Sequence, residues 1–192
     1  VYDEVYLQHD TQFHPESADR LRVTLNHLES LNIYGKRSEN YYHPIKPQFA
    51  TKEQVAWIHT PRFINNVEYI TEKSRKHEET LYLDSPYCQF GETIASPGTY
   101  QAALASVGGN LSGIEQIFHG QIDRSMVLCR PPGHHSNISK ARGFCVFNNI
   151  LFAAEHCFRN FDLNKIAIID FDAHAGNGTE EILNTHPLSG EV

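Results

Sequence analysis

Two short apolar runs constrain the fold of this chain more than any other feature. Residues 125–129 (SMVLC) and 165–171 (KIAIIDF) are separated by a helical pattern over residues 148–161. Apolar runs of this length that alternate with helices indicate βαβ units, in which parallel strands are covered by helices on both faces. We therefore predict an α/β fold with a parallel sheet flanked by helices.

Local signals predict several further helices. Residues 17–28 place three leucines on one stripe, and residues 51–54 (TKEQ) have the spacing of a capping box. Pro61 has the first-turn position of another helix, and residues 97–118 are rich in the small residues of a close-packed helix. These helices supply the layers that a buried sheet requires.

Two segments lack a helical period. Residues 1–7 form a short run that favours a strand. Residues 76–98 mix turn formers, aromatics and acids, which predicts a long surface loop.

The composition is that of an ordinary globular protein. Of 192 residues, 40% are hydrophobic and 20% are charged, so we treat residues 1–192 as a single domain with one core. Sixteen basic residues against 23 acidic ones give a net charge of −7, which argues against direct nucleic-acid binding.

The sequence also indicates a location inside the cell. No apolar run approaches the roughly 20 residues that cross a bilayer, and the first ten residues lack the basic start of a signal peptide, so we expect no membrane association. The cysteines form no C-x-x-C pair, and we expect reduced thiols, mostly buried, at Cys88, Cys129, Cys145 and Cys157. A cytoplasmic protein fits these features.

Polar side chains follow both apolar runs. His134 and His135 come after the first run, whereas Asp170, Asp172 and His174 end the second run at every other position. Alternate residues of an extended chain point to the same face, and the carboxyl ends of parallel strands meet at one edge of a sheet. The sequence therefore predicts that these five side chains share a pocket.

The acidic end of the second run has the character of a metal site. Asp172 and His174 offer an oxygen and a nitrogen ligand, a mixture that suits zinc or iron. A catalytic zinc commonly has three protein ligands and an open position for water, so one more ligand is required. Asp170 either supplies that ligand or orients a histidine.

The paired histidines are candidates for proton transfer, because imidazole titrates near neutral pH. Each ring needs a partner that holds its second nitrogen, and Asp170 and Asn177 are the candidates. Two ordinary alternatives stay open: His134 and His135 as hydrogen-bonded loop residues, and Asp-x-Asp as a turn or helix cap.

Three ordered blocks resemble the signature of a known family. RPPGHH (130–135), GFCVFNN (143–149) and DFDAHAGNGT (170–179) are similar to the blocks of the zinc-dependent histone deacetylase and acetylpolyamine amidohydrolase superfamily. The opening HDTQFHPESADRL resembles that family's first loop and helix, so the similarity covers essentially the whole chain. The resemblance implies an arginase/deacetylase-type fold and zinc-dependent hydrolysis of acetyl amides, on lysine side chains in proteins or on polyamines.

The resemblance also implies residue roles. Asp172 and His174 would bind Zn²⁺, which polarises the acetyl carbonyl and its bound water. His135 would act as general base and then acid, while His134 supports the developing charge. Acetate and a free amine would result.

Supporting roles come from the same resemblance. Asp170 would pair with His134, and Asn177 with His135. Gly143 and Phe144 would line the tunnel that takes the substrate stem. Backbone atoms near Asp170 would help to hold a structural monovalent cation such as K⁺.

The family pattern is incomplete in this sequence. The family's third zinc ligand and its transition-state tyrosine lie downstream of the block that ends at residue 179, and neither precedes Val192. Later strands of the family's sheet lie between the two predicted strands, so a gap is expected. We therefore expect only the N-terminal part of the full domain. The alternative is a non-catalytic member that binds acyl-lysine or a partner, or an inactive fragment; substrate choice and homo-oligomer formation stay open.

Overall fold

The structure is a computed structural model that describes residues 1–33, 43–84, 91–186 and 188. It is built mainly from helices. In chain order the elements are a 3₁₀ helix (Glu4–Gln8), α1 (Asp19–Ser30), α2 (Lys52–Val55), α3 (Pro61–His77), β1 (Leu81–Tyr82), β2 (Ile94–Ala95), α4 (Thr99–Phe118), α5 (Asn149–Asn160) and α6 (Asn177–Thr185).

The predicted helix signals at residues 51–54 and at Pro61 are confirmed. Thr51 and Gln54 form a reciprocal capping box at the start of α2. Pro61 begins α3, where the Thr60 hydroxyl accepts a hydrogen bond from the Phe63 N–H at 3.3 Å. A first-turn proline loses no helical hydrogen bond, because the N–H it lacks would have had no helical partner.

The small-residue helix is also confirmed, and its packing explains its composition. A Cβ atom at Gly108 would lie 1.5 Å from the Gln48 carbonyl oxygen, so the backbones of α4 and residues 48–50 approach too closely for a side chain. The Ala50 N–H donates to the Leu104 carbonyl at 3.1 Å within this contact. Helix α4 packs against α5 on another side.

The core lies among α3, α4 and α5 and extends to the segment before α5. Phe147 and Phe152 are fully buried, and their rings surround the buried imidazole of His59 together with Phe63. His59 Nε2 accepts a hydrogen bond from the Asn148 N–H at 3.0 Å. Burial lowers the pKa of His59 to about 3, so this imidazole is neutral at physiological pH.

The strands differ from the sequence-based expectation. Among the described residues the sheet consists of β1 and β2, paired antiparallel with Leu81 opposite Ala95. This hairpin lies within residues 76–98, which were predicted as a loop; the central part of that loop, including Cys88, is outside the described residues. Residues 1–7 were predicted as a strand, and this is wrong, because the Asp3 side chain caps a 3₁₀ turn by accepting from the Val5 N–H at 2.9 Å.

The strands predicted at 125–129 and 165–171 are not formed in the described part of the chain. The first segment hydrogen-bonds to Val1, whose carbonyl accepts from the Leu128 N–H at 3.0 Å and whose amino group donates to the Met126 carbonyl at 2.5 Å. The second segment leaves Phe171 96% exposed. A parallel strand requires a hydrogen-bonded neighbour, and among the described residues neither segment pairs with another strand.

Two further features concern membrane spans and cysteines. Within the described residues, no helix is both long enough and apolar enough to cross a membrane. The described cysteines, Cys129, Cys145 and Cys157, are free thiols, and two of them are buried.

Candidate active site

The segment that carries the paired histidines is held from behind by a buried ion pair. Arg130 Nη2 lies 2.8 Å from Glu16 Oε2, the Nε contacts the other carboxylate oxygen, and Nη1 donates to the Tyr6 carbonyl at 3.1 Å. Burial favours protonation of Glu16, but hydrogen bonds from His9 and Arg130 outweigh it and lower its pKa to about 2. The pair joins the N-terminal loop to the start of the histidine segment, residues 130–136.

His134 is held at its ring and at its backbone. Its Nδ1 lies 2.9 Å from Asp170 Oδ2, and its carbonyl accepts from the N–H groups of Gly178 and Thr179 at 3.0 and 3.1 Å. The hydrogen bond from His134 lowers the pKa of Asp170 below its usual value, so Asp170 is a carboxylate at neutral pH. A carboxylate on Nδ1 stabilises the charged form of the ring.

His135 has a neutral partner instead. Its Nδ1 lies 2.7 Å from Asn177 Oδ1, and its ring centre lies 4.1 Å from that of His134. Because an amide oxygen only accepts, Nδ1 carries the proton and the Nε2 lone pair is left to accept one. The two adjacent imidazoles therefore have different partners at Nδ1, a carboxylate for His134 and an amide oxygen for His135.

The side chains of Asp172 and His174 face each other and form a hydrogen-bonded pair. Asp172 Oδ1 and His174 Nδ1 are 3.1 Å apart. Two ligand atoms on a tetrahedral zinc, each at about 2.0–2.1 Å, would be roughly 3.3 Å apart. The backbone N–H of His174, followed by its ring, holds the pKa of Asp172 below its usual value, so the oxygen donor is ionised. The donor set present fits zinc.

This donor pair lies beside the histidines. The ring centres of His135 and His174 are 6.1 Å apart, and the Asp172 N–H donates to Asp170 Oδ1 at 3.1 Å. Across the described ranges, no group of three or more His, Cys, Asp or Glu side chains is arranged to hold a metal. Asp170 faces His134 in this arrangement.

Gly143 and Phe144 form a tight turn next to His135. Both have positive φ, 55° and 68°, and the turn is closed by hydrogen bonds in both directions between Arg142 and Cys145. A Cβ at Gly143 would lie 2.5 Å from His135 Cδ2, so glycine is required there. The Phe144 N–H donates to Thr93 Oγ1 at 3.3 Å.

The Phe144 ring contacts a histidine of the N-terminal loop. It packs edge-on against the His14 ring, with 4.3 Å between ring centres. The structure therefore brings the eight predicted site residues into one region, with the paired histidines at its centre: His134, His135, Gly143, Phe144, Asp170, Asp172, His174 and Asn177.

Sequence reasoning missed two ion pairs that hold this region. Glu16 with Arg130 lies behind it, and Arg142 with Glu181 lies at its edge. Two of these residues are adjacent to or inside the motif blocks: Arg130 begins the first block and Arg142 directly precedes the second. The ion pairs join positions up to 114 residues apart, and no local pattern predicts that.

A protein-family model covers the region that holds the site. The model of the histone deacetylase domain matches residues 14–188. The chain belongs to the histone deacetylase domain family. The matched range contains every site residue described above, and the arginase/deacetylase-type fold predicted from the sequence is confirmed by a structural match.

Histone deacetylase relatives cover most of this chain. Histone deacetylase 6 of Caenorhabditis elegans is 30% identical over 182 residues, which is 94% of this chain and 18% of that protein. Polyamine deacetylase HDAC10 of Mus musculus is 34% identical over 138 residues, 72% of this chain and 20% of that protein. The crystal structure of the HDA15 HD domain has a TM-score of 0.82 at 30% identity and covers 96% of this chain. This chain spans 50% of the HDA15 HD domain chain.

Proposed function

We propose that this chain supplies the general base and two metal ligands of a zinc-dependent deacetylase. The observation that carries the proposal is the pair of imidazoles, one held by Asp170 and one by Asn177, beside an Asp172–His174 pair at metal-ligand spacing. Membership of the histone deacetylase domain family supports the reaction class.

Asp172 and His174 would hold the zinc. A third ligand is proposed to come from an aspartate in the second half of the full domain, since this chain spans 50% of the HDA15 HD domain chain. When bound, zinc supplies Lewis-acid polarisation of the acetyl carbonyl and activation of a water molecule. A structural K⁺ near the backbone of Asp170 and Asp172 belongs to the same proposal.

His135 is proposed as the proton carrier. Its Nε2 accepts a proton from the attacking water, because Nδ1 is already engaged with the Asn177 oxygen. The same Nε2 then donates that proton to the leaving amine, so water and the acetyl amide become acetate and a free amine. The Asp170 carboxylate on Nδ1 of His134 would let this ring support the charge that develops on the reacting carbonyl.

Gly143 and Phe144 are proposed to bind the substrate stem. The aromatic face of Phe144 suits the methylene chain of a lysine or a polyamine. Two hydrogen-bonded features keep this wall in place, the turn from Arg142 to Cys145 and the bond from the Phe144 N–H to Thr93.

The proposed substrates are acetylated lysine in peptides or proteins and acetylated polyamines. Relatives named as histone deacetylases and as polyamine deacetylases are both similar to this chain. The net charge of −7 suits cationic substrates of either kind and opposes nucleic acid. Cytoplasmic location stays a prediction from the sequence.

The test is zinc-dependent hydrolysis by the whole protein. We expect release of acetate from an acetyl-lysine peptide or an acetylated polyamine, abolished by a chelator and restored by zinc. His135→Ala should lower kcat by roughly 10²- to 10⁴-fold, because general acid–base catalysis is worth that much, while zinc content stays normal. His27→Ala, an exposed histidine on α1, is the matched control.

Two results would count against the proposal. A near-normal rate in His135→Ala would mean that another group is the base. No chelator-sensitive hydrolysis of either substrate by the zinc-loaded wild type, with acyl-lysine binding retained, would favour the alternative of a non-catalytic binding protein.

A further inference from the structure

Arg142 contacts both the candidate base, His135, and helix α6. Its Nε donates to the His135 carbonyl at 3.2 Å, and its Nη2 lies 2.9 Å from Glu181 Oε2. Its backbone closes the turn that presents Gly143 and Phe144. The guanidinium of Arg142 therefore contacts both the backbone of His135 and helix α6, and Arg142 also begins the turn that carries Phe144.

Glu181 lies on α6, and its carboxylate accepts a second hydrogen bond from a residue close to the paired histidines. Its Oε1 accepts from Asn137 Nδ2 at 2.6 Å, and Asn137 lies two residues after His135. The same helix begins at Asn177, whose oxygen holds His135 Nδ1 at 2.7 Å. The Glu181 carboxylate thus holds α6 against two residues that follow His135 in the chain, Asn137 and Arg142.

The ion pair of Arg142 and Glu181 is too exposed to add much to the stability of the fold. The side chains of Arg142 and Glu181 are 36% and 42% exposed. Ion pairs with this much solvent access contribute little to folding stability in general. The planar guanidinium of an arginine, however, donates in fixed directions, so two partners bound to it are held in a defined relative position. The ammonium group of a lysine does not fix directions in this way.

We propose that Arg142 and Glu181 form a positioning pair that sets the His135 ring relative to Phe144 and Asn177. The proposal rests on the proposed deacetylase function, in which His135 is the base and Phe144 lines the substrate site. Neither residue is assigned a contact with the substrate. Their effect is through His135, whose ring must stand within a fraction of an ångström of its productive place.

The kinetic experiment is a double-mutant cycle in the whole zinc-loaded protein. Arg142→Met and Glu181→Gln should each lower kcat by on the order of 10-fold with KM within about twofold, because misplacement of a base slows chemistry more than binding. The double variant should also lose about 10-fold, since either change alone breaks the same unit. Arg142→Lys, which keeps the charge but not the fork, should stay close to Arg142→Met.

A second readout does not depend on activity. Hydrogen exchange at the N–H groups of Gly178 and Thr179, which donate to His134 O, should speed up in Arg142→Met and in Glu181→Gln, and no further in the double variant. Arg22→Met is the matched control, because Arg22 forms an exposed ion pair with Asp19 on α1. It should leave kcat, KM and exchange unchanged.

The outcomes separate the positioning role from the proposed function. An inactive wild type would defeat the function, and the exchange cycle alone would then decide whether the pair holds α6. In an active protein, an unchanged kcat, multiplicative losses or a raised KM with normal kcat would overturn the positioning role. Faster exchange with unchanged kcat would also overturn it, since the pair would then be structural only.

Discussion

Two segments meet in the candidate site, and the structure holds them in different ways. The histidine segment, residues 130–136, lies against the core, and its His134 side chain is 19% exposed. The acidic segment, residues 168–174, lies at the surface, and its His174 side chain is 77% exposed. The two border one cavity of about 330 Å³, lined in part by Gly133 and Ile168.

The difference lies in what each segment contacts. Behind the histidines, Arg130 is buried with Glu16, and Ser136 Oγ donates to the Val146 carbonyl at 2.7 Å. The acidic segment contacts the site through polar groups such as Asp170 and exposes the large apolar ring of Phe171. The segment proposed to transfer the proton is therefore held by the core, whereas the segment proposed to bind the metal is placed by hydrogen bonds to it.

The largest predicted effect breaks the support of the histidine segment. Glu16→Gln leaves the buried Arg130 guanidinium without its counter-charge, and the loss of one partner of a buried pair costs about 3–5 kcal/mol of unfolding free energy. Urea unfolding at pH 7 measures this. Replacement of both residues, Glu16→Gln with Arg130→Met, should cost less than Glu16→Gln alone, and a single-variant loss below about 1 kcal/mol would contradict the prediction.

The pH dependence of stability checks the same pair. Glu16 has its pKa lowered to about 2 from an ordinary 4.5, so the folded state binds fewer protons than the unfolded state between these values. Its contribution is present above about pH 4.5 and is lost as the pH falls toward 2. Buried His9 and His59, whose pKa values burial lowers, already destabilise the fold as the pH falls below 6.5. The contribution of Glu16 is therefore measured as the unfolding free energy of the wild type minus that of Glu16→Gln, followed as the pH falls below 4.5.

An intermediate effect is expected where the two segments join. Asp170→Asn keeps an oxygen for His134 Nδ1 but removes the charge that stabilises the imidazolium. Outer carboxylates on active-site histidines are typically worth 10- to 100-fold, so kcat should fall by roughly that factor. Because Asp170 is exposed, the melting temperature should stay within about 2 °C of wild type. Normal kcat would show that His134 works without a charged partner.

The smallest expected effect sharpens the contrast in burial. Phe171→Ala should change the unfolding free energy of this chain by no more than about 0.5 kcal/mol, because the ring is 96% exposed. The same change at Phe152, which is fully buried, should cost about 3–5 kcal/mol and serves as the control. A Phe171→Ala loss as large as that of Phe152→Ala would show that this ring is covered in solution and would break the comparison.

Local chemistry was predictable from sequence, and long-range pairing was not. The capping box at Thr51 and the first-turn Pro61 act within four residues, and both are present. The motif blocks offer Asp170 and Asn177 as candidate histidine partners, the family resemblance implies which histidine each one holds, and the structure has both contacts. The ion pair of Arg130 with Glu16 spans 114 residues and leaves no local pattern.

The sequence by itself determined which groups can do chemistry in this protein, because imidazole, carboxylate and amide properties and their alternation at 170–174 depend on residue type and spacing. Tertiary structure decided which partner each group has and how exposed it is. Apolar periodicity at 165–171 indicates a strand that could be buried, but burial requires a neighbouring strand, and the periodicity does not specify one. Hence the same side chain, a phenylalanine ring, is buried at position 152 and exposed to water at position 171.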